Sequence, residues 1–357
     1  MSAGLLFRMT QITPVTIAVV GAGLFGRKHI ETMRQEPACR LAAIADPTPE
    51  AQAYARELGV PCFADYSEML DRIQPQAAII ATPNVLHVPV GLACAERGVH
   101  MLVEKPIADS VQTAMQLADA AECAGVALLV GHHRRHNPII EKAREVVQGG
   151  GIGRVTAISA QWMLLKARAY FDAVHRRSPG AGPVLTNAVH DIDDLRFICG
   201  DIVSVQAMTS NAVRQYPVED TAAILLRFVN GALGTLTVSD TAVAPWSWEL
   251  TSGENSFYPR NDENCYLISG TEGALTVPKL ELWRYGEEPG WGAPLSCECL
   301  EVVPADPLVR QIRHFCAVVR GEAKPKITGR DAVRTLLAVQ AVFESARTGR
   351  TVELESA

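Results

Sequence analysis

The sequence predicts an α/β fold: a doubly wound parallel sheet, then an α+β domain with a large, open, mostly antiparallel sheet. Three observations carry this reading. Strand-like and helix-like runs alternate at βαβ spacing through residue 137. A glycine-rich break, Gly149-Gly150-Gly151-Ile152-Gly153, follows soon after. Beyond it long strand-like runs dominate, and helices return only near the C-terminus. A chain of 357 residues is too long for one typical core, and the pattern divides it into residues 1–137 and 138–357, with the C-terminal helices able to pack back on the first domain.

Thr16 to Val20 is a short run rich in β-branched residues, and it meets Gly21-Ala22-Gly23-Leu24-Phe25-Gly26. Leu24 to Gln35 then reads as an amphipathic helix. Strand, G-x-G-x-x-G turn and helix in that order make a Rossmann dinucleotide-binding unit. Gly21 permits the tight turn, Gly23 lets a pyrophosphate approach the backbone, and Gly26 lets helix and strand pack closely. Leu24 and Phe25 open the helix whose N-terminus meets the phosphate charge. A second strand, Arg40 to Ala45, ends in Asp46, about twenty residues beyond Gly26, where a carboxylate accepts ribose hydroxyls. Asp46 favours NAD. NADP stays open, because neighbouring loop residues can accommodate a 2′-phosphate, although Pro47 and Thr48 supply no arginine for one.

Helices are expected over Pro49 to Leu58 and, opened by a serine cap, over Ser67 to Ile73. The buried strand Ala77 to Ala81 runs into Thr82-Pro83-Asn84-Val85-Leu86-His87 before a helix over Val88 to Arg97 that Gly98 closes. Strand His100 to Val103 ends in Glu104-Lys105-Pro106, and helix Ser110 to Ala124 leads through Gly125 to strand Val126 to Val130 and Gly131-His132-His133-Arg134-Arg135. Ligands of such sheets lie beyond the carboxyl ends of the strands. Thr82, Pro83, Asn84, His87, Glu104 and Lys105 therefore join the candidate cofactor set. After a helix over Ile139 to Gln148, strands are expected over Val155 to Leu165, Ile202 to Val213, Thr221 to Val229, Ala232 to Asp240, Cys265 to Ser269 and Ala274 to Val277, with a hairpin at Asn230-Gly231. Helices over Ala305 to Arg320 and Gly329 to Gly349 close the chain.

Composition narrows the partners. A net charge of −6 leaves no basic field for nucleic acid. No stretch approaches the length that spans a bilayer, and the apolar part of Met1 to Gln11 is too short for a signal segment. Nine scattered cysteines, with Cys297-x-Cys299 the one close pair, fit a reducing cytoplasm. His132, His133, His136 and His190 have no carboxylate partner arranged for a metal site, so no metal is expected.

Lys105 stands just past a strand that points at the nicotinamide crevice, where an ammonium loses its proton more easily and becomes a proton acceptor. Position alone equally allows Glu104 and Lys105 to be a solvated pair. Val184 to Leu195 reads as a helix with Leu185, Val189, Ile192 and Leu195 on one face and Asn187, His190 and Asp194 on the other. An amide and a carboxylate one turn either side would orient His190 toward a substrate hydroxyl, and a plain solvent face fits the same spacing. Arg134, and the loop Lys166 to Phe171 with Arg168 and Tyr170, followed by Arg176 and Arg177, could hold an acidic or polyhydroxylated substrate.

GAGLFG after the first strand, Ala45-Asp46-Pro47, TPNVLH, EKP and the HDID that begins at His190 resemble the Gfo/Idh/MocA oxidoreductases, which include glucose-fructose oxidoreductase and inositol dehydrogenase. The resemblance runs nearly end to end. It implies a large open sheet whose outer face forms a homodimer or homotetramer, Lys105 as general acid/base across a cis bond to Pro106, and His190 as the family histidine. Many members carry an aspartate one turn before that histidine; here Thr186 stands there, followed by Asn187, so Asn187 or Asp194 would take over its orienting role. The implied activity is NAD(P)-dependent hydride transfer at a secondary alcohol of a sugar, inositol-like polyol or cyclic diol. Two other readings stand beside it: a dehydrogenase of a carboxylated cyclic dihydrodiol or semialdehyde, its acid held by Arg134, Arg135, Arg168 and Arg176, and a non-catalytic NAD(P)-sensing regulator.

Overall fold

A computed structural model describes residues 13–354; the stretch read above for a signal segment lies outside them. In chain order the described elements are β1 (Val15–Val20), α1 (Leu24–Met33), β2 (Cys39–Ala45), α2 (Pro49–Leu58), β3 (Cys62–Phe63), α3 (Tyr66–Ile73), β4 (Ala77–Ile80), α4 (His87–Glu96), β5 (His100–Val103), α5 (Val111–Cys123) and β6 (Leu128–Val130). There follow α6 (Pro138–Gln148), β7 (Val155–Met163), α7 (Val189–Cys199), β8 (Ile202–Ser210), β9 (Thr221–Phe228), β10 (Leu233–Ser239), α8 (Trp248–Thr251), β11 (Tyr266–Gly270), β12 (Ala274–Val277), β13 (Glu281–Tyr285), β14 (Leu295–Cys299), α9 (Pro307–Val319), α10 (Gly329–Thr348) and β15 (Val352–Glu353).

Two compact units result, each assembled from separate stretches: residues up to Glu104 with Leu117–Leu129 and Leu308–Lys326, and Lys105–Gln116 with Val130–Pro307 and the chain from Ile327. In the first sheet the order is β3-β2-β1-β4-β5-β6, and the pairs from β3 to β5 run parallel. This is the doubly wound order of a Rossmann fold. Apart from Thr16, Arg40 and His100 near their starts, its central strands are apolar, as burial on both faces requires; Ile17, Ile44, Ile79 and Leu102 are inaccessible to solvent. Ile312 and Phe315 of α9 join that core. Asp65, not Ser67, caps α3: its carboxylate accepts the Glu68 N–H at 2.8 Å, two residues earlier than the serine cap the sequence suggested.

The second sheet has nine strands in the order β14-β13-β12-β11-β7-β10-β9-β8-β15, antiparallel except for β7 beside β10. Along β9 the inward Ala222, Ile224, Leu226 and Phe228 alternate with outward residues, and the inward set packs with Ile140 and Val147 of α6, Ile192 and Leu195 of α7, and Val339 and Val342 of α10. Outward-facing Met208, Leu225, Leu233 and Leu267 are exposed. Sequence reading missed β3, β13, β14 and β15. Two of these are two residues long, β13 lacks strict alternation, and β14 alternates Leu295, Cys297 and Cys299 with Ser296 and Glu298 over only five residues and is exposed throughout.

Candidate active site

The first unit gathers the candidate cofactor residues on one edge of the parallel sheet. Backbone bonds from Gly21 to Ala45, from Ala81 to Val20 and from Glu104 to Ile80 continue the ladder past the strand ends, so the segments that open with Gly21, Asp46, Thr82 and Glu104 lie side by side. Gly21 has φ +89°, and a Cβ there would sit 2.6 Å from the Ala81 carbonyl oxygen. A Cβ on Gly26 would stand 1.9 Å from the Gly21 carbonyl oxygen, so helix and turn touch only because both residues are glycine. No side chain caps α1 at Gly23, and its first turn carries no acid. Its N–H groups and the positive end of the helix are thus left for an anion, with exposed Leu24 and Phe25 beside them.

Asp46 lies at the end of β2. Its Oδ2 accepts the Ala22 N–H at 2.8 Å, and its Oδ1 accepts the Thr48 N–H at 2.9 Å and the Thr48 hydroxyl at 2.6 Å. Burial works to raise its pKa, and the Thr48 and Ala22 hydrogen bonds outweigh burial, so the carboxyl sits below its ordinary range. His87 Nε2 bonds to the Thr82 carbonyl at 2.9 Å, while the Thr82 hydroxyl is buried with no protein partner. Pro83 is exposed and Asn84 half-buried at the mouth of the same turn. Glu104 is no solvated side chain: its Oε1 meets Nε2 of fully buried His29 at 2.7 Å. The uncapped helix, the glycine contacts and the orphaned Thr82 hydroxyl together fit a dinucleotide.

In the second unit Lys105, joined to Pro106 by a cis bond, donates from Nζ to the Thr186 carbonyl at 2.9 Å. Val184 to Leu195 is not one regular helix. Val184–Ala188 forms a π-helical turn, which then passes into α7. The Thr186 hydroxyl caps back to the Gly182 carbonyl at 2.9 Å and lies 2.9 Å from Asn187 Oδ1. Asn187 Oδ1 also accepts from Lys166 Nζ at 2.8 Å. His190 is buried, with ring centroids of His133 and His132 at 5.4 and 6.3 Å and no protein partner for Nδ1. Burial first, then the charges of Lys105 and Arg134, hold its pKa well below the ordinary value, so the imidazole is neutral. Lys105, Asn187 and His190 are thus brought to one place.

Asp194 and Arg134 are bonded to each other instead. Every residue of α7 is buried, so the polar face that sequence spacing left to solvent is enclosed in the protein, with His190 Nδ1 and Asp194 Oδ1 unpartnered there. Arg134 Nη1 reaches Asp191 Oδ1 at 3.3 Å and Asp194 Oδ2 at 3.4 Å, Nη2 reaches Glu249 at 2.9 Å, and Tyr266 Oη donates to Asp191 at 2.5 Å and lies 3.2 Å from Asp194 Oδ2. A guanidinium enclosed by three carboxylates has nothing left for a substrate, and an aspartate bound to it does not orient His190. Arg135 is spent likewise on Asp193, at 2.8 and 2.7 Å, and on Asp331. Arg168 is exposed, and Tyr170 is half-buried with Arg176 stacked 4.3 Å over its ring. His133, bonded to Glu254 at 3.1 Å, and Lys166, bonded to Asn187 at 2.8 Å, stand close to the site; sequence named the first among the histidines and the second in the substrate loop, but neither with its partner. Their partners lie 121 and 21 residues away, where no local pattern could find them. Among the described residues no group of three His, Cys, Asp or Glu could hold a metal.

Burial also drives the His132 pKa down to about 4 from an ordinary 6.5. Below pH 6.5 the unfolded chain takes up this proton and the folded chain does not until about pH 4, so stability falls across that window. Urea unfolding of wild type and His132→Gln should show wild type losing about 3 kcal/mol more between those limits. Parallel losses would mean that His132 titrates normally in the fold.

Comparison with known proteins places this geometry. Residues 15–132 match the family described as oxidoreductase family, NAD-binding Rossmann fold, and residues 140–276 match the GFO/IDH/MocA C-terminal domain. The chain is 28% identical to the D-apiose dehydrogenase of Paraburkholderia graminis over 95% of its own length and 89% of that protein's. It is 25% identical to the scyllo-inositol 2-dehydrogenase (NAD(+)) of Bacillus subtilis, covering 96% of each. The crystal structure of the WlbA dehydrogenase from Bordetella pertussis in complex with NADH and UDP-GlcNAcA superimposes with a TM-score of 0.79 at 26% identity, over 96% of this chain and 99% of that one. The chain belongs to the Gfo/Idh/MocA oxidoreductases and is an NAD(P)-dependent dehydrogenase acting on CH–OH donors.

Proposed function

We propose that the chain moves a hydride between the nicotinamide and a secondary alcohol carbon of a sugar, inositol-like polyol or cyclic diol. The convergence of Lys105, Asn187 and His190 supports this reading most directly. Gly21, Gly23, Leu24, Phe25, Gly26, Asp46, Thr82, Pro83, Asn84, His87 and Glu104 would hold the cofactor, with Asp46 favouring NAD. When bound, it accepts or returns the hydride. Lys105 takes the hydroxyl proton in the oxidation and gives it back in the reduction, while the Thr186 carbonyl fixes its Nζ. Neutral His190 hydrogen-bonds the same substrate oxygen, and Asn187 supports it. The exposed apolar residues of the open sheet are where a second copy would pack, as a homodimer or within a homotetramer. The cysteines, all free, suit a reducing cytoplasm. The test is absorbance at 340 nm with NAD or NADP across sugars, inositols, cyclic diols and their acids. Turnover with a member of that panel is expected; tight NAD binding without any turnover would favour a redox-sensing protein.

A further inference from the structure

The substrate side of this site is furnished with hydrogen-bond donors. Lys166, just beyond β7, has a side chain only 9% exposed, and its Nζ lies 5.5 Å over the Trp162 ring and 5.1 Å over the Tyr170 ring. A lysine ammonium carries three donors and no acceptor, so the Asn187 atom that faces it at 2.8 Å must be the amide oxygen. The single Thr186 hydroxyl proton is shared between this oxygen and the Gly182 carbonyl, each at 2.9 Å. The ammonium is what fixes the amide, since a flip would set Nδ2 against a group that carries only donors, and Nδ2 makes no hydrogen bond within the protein on a half-buried side chain. Lys105, which reaches the adjoining Thr186 carbonyl, adds a second ammonium on the same turn.

The charges around Lys166 do not cancel. Two carboxylates act on Lys166 and each is shared with another cation: Asp240 lies 3.7 Å from its Nζ but also accepts from Arg214 Nε at 2.9 Å, and Glu249 is bonded to Arg134 at 2.9 Å. Glu219 is not within ion-pair distance of Lys166; its Oε1 accepts the Val184 N–H at 3.0 Å, and burial pushes it toward the neutral form. Burial, and then Arg214, hold the Lys166 pKa below its ordinary value against the opposing pull of Asp240, which is the state an incoming anion relieves. On the opposite side of the argument, Lys166 could serve only to brace the turn; that role would need no unpaired Nδ2 and no excess of positive charge.

We infer that the substrate carries a carboxylate, that this group accepts from Asn187 Nδ2 and from the ammonium of Lys166, and that Lys166 is the positioning residue for the amide. The inference rests on the dehydrogenase reading and narrows it to acidic sugars and carboxylated ring polyols.

With NAD saturating, D-glucuronate and quinate would be compared with D-glucose and myo-inositol by steady-state oxidation and by calorimetric binding. The acids should bind at least tenfold more tightly than the neutral compounds. Lys166→Met should raise KM for the acids at least tenfold with kcat within about threefold, and Lys166→Arg should restore most of the loss. Asn187→Asp, which sets a negative charge where the donor was, should cancel the preference. Equal or better use of neutral substrates by wild type, or a Lys166→Met loss shared equally by both classes and not recovered by arginine, would overturn the inference. Turnover of neutral compounds alone would leave the dehydrogenase reading standing and remove this one, whereas failure of all four compounds both to bind and to react would count against both.

Discussion

Lys105→Ala should lose about 10³-fold or more in kcat while binding NAD as wild type does, because a positioned acid/base contributes roughly 10²–10⁴-fold. The side chain donates to the Thr186 carbonyl, and the buried carboxylate network is held by Arg134 and Arg135, which the substitution leaves in place. Fluorescence titration of NAD against a single-turnover measurement separates the two effects. Added methylamine should restore part of the rate, with the rate rising with amine basicity; Lys105→Arg should not, because a guanidinium does not release its proton in this range. Turnover of Lys105→Ala close to wild type would remove the lysine from the chemistry.

The largest stability effect is expected at Arg134. Replacing it with Met keeps much of the volume and takes the cation from among Asp191, Asp194 and Glu249, which should cost about 3–5 kcal/mol, since breaking a buried pair leaves charge uncompensated. The Asp191 carboxyl, already raised to about 6 by burial against the pull of Arg134, would move further toward its protonated form. Chemical denaturation measures the loss, and the KM for substrate in the surviving folded fraction should change little. A normal stability with a large rise in KM would instead return Arg134 to the substrate.

The two halves of the molecule were legible to different degrees. Every requirement at the cofactor edge is local: Gly26 must lack a Cβ because Gly21 is five residues away, and Asp46 ends the very next strand. Adjacent residues in sequence announce such a turn. The roles of Asp191, Asp193 and Asp194 depend instead on Arg134 and Arg135, 57 to 60 residues earlier, and on Tyr266, 72 to 75 residues later. Helical spacing revealed a polar face there, but spacing does not distinguish a face met by water from one met by buried guanidinium groups. Lys166 was read only as part of a cationic substrate loop, since its partner Asn187 lies 21 residues on in a turn whose geometry is not α-helical.

That turn has a consequence for how such a site changes over generations. A π-helical turn holds one residue more than an α-turn, so deleting a single residue between Val184 and Ala188 would close it and rotate all that precedes by about 100° relative to His190. A different side chain would then swing into the place of Asn187, while α7 and its packed interior kept their frame. The histidine and the selector beside it are therefore separately adjustable, and a lineage could exchange one class of substrate for another by a change in length, with no catalytic residue replaced.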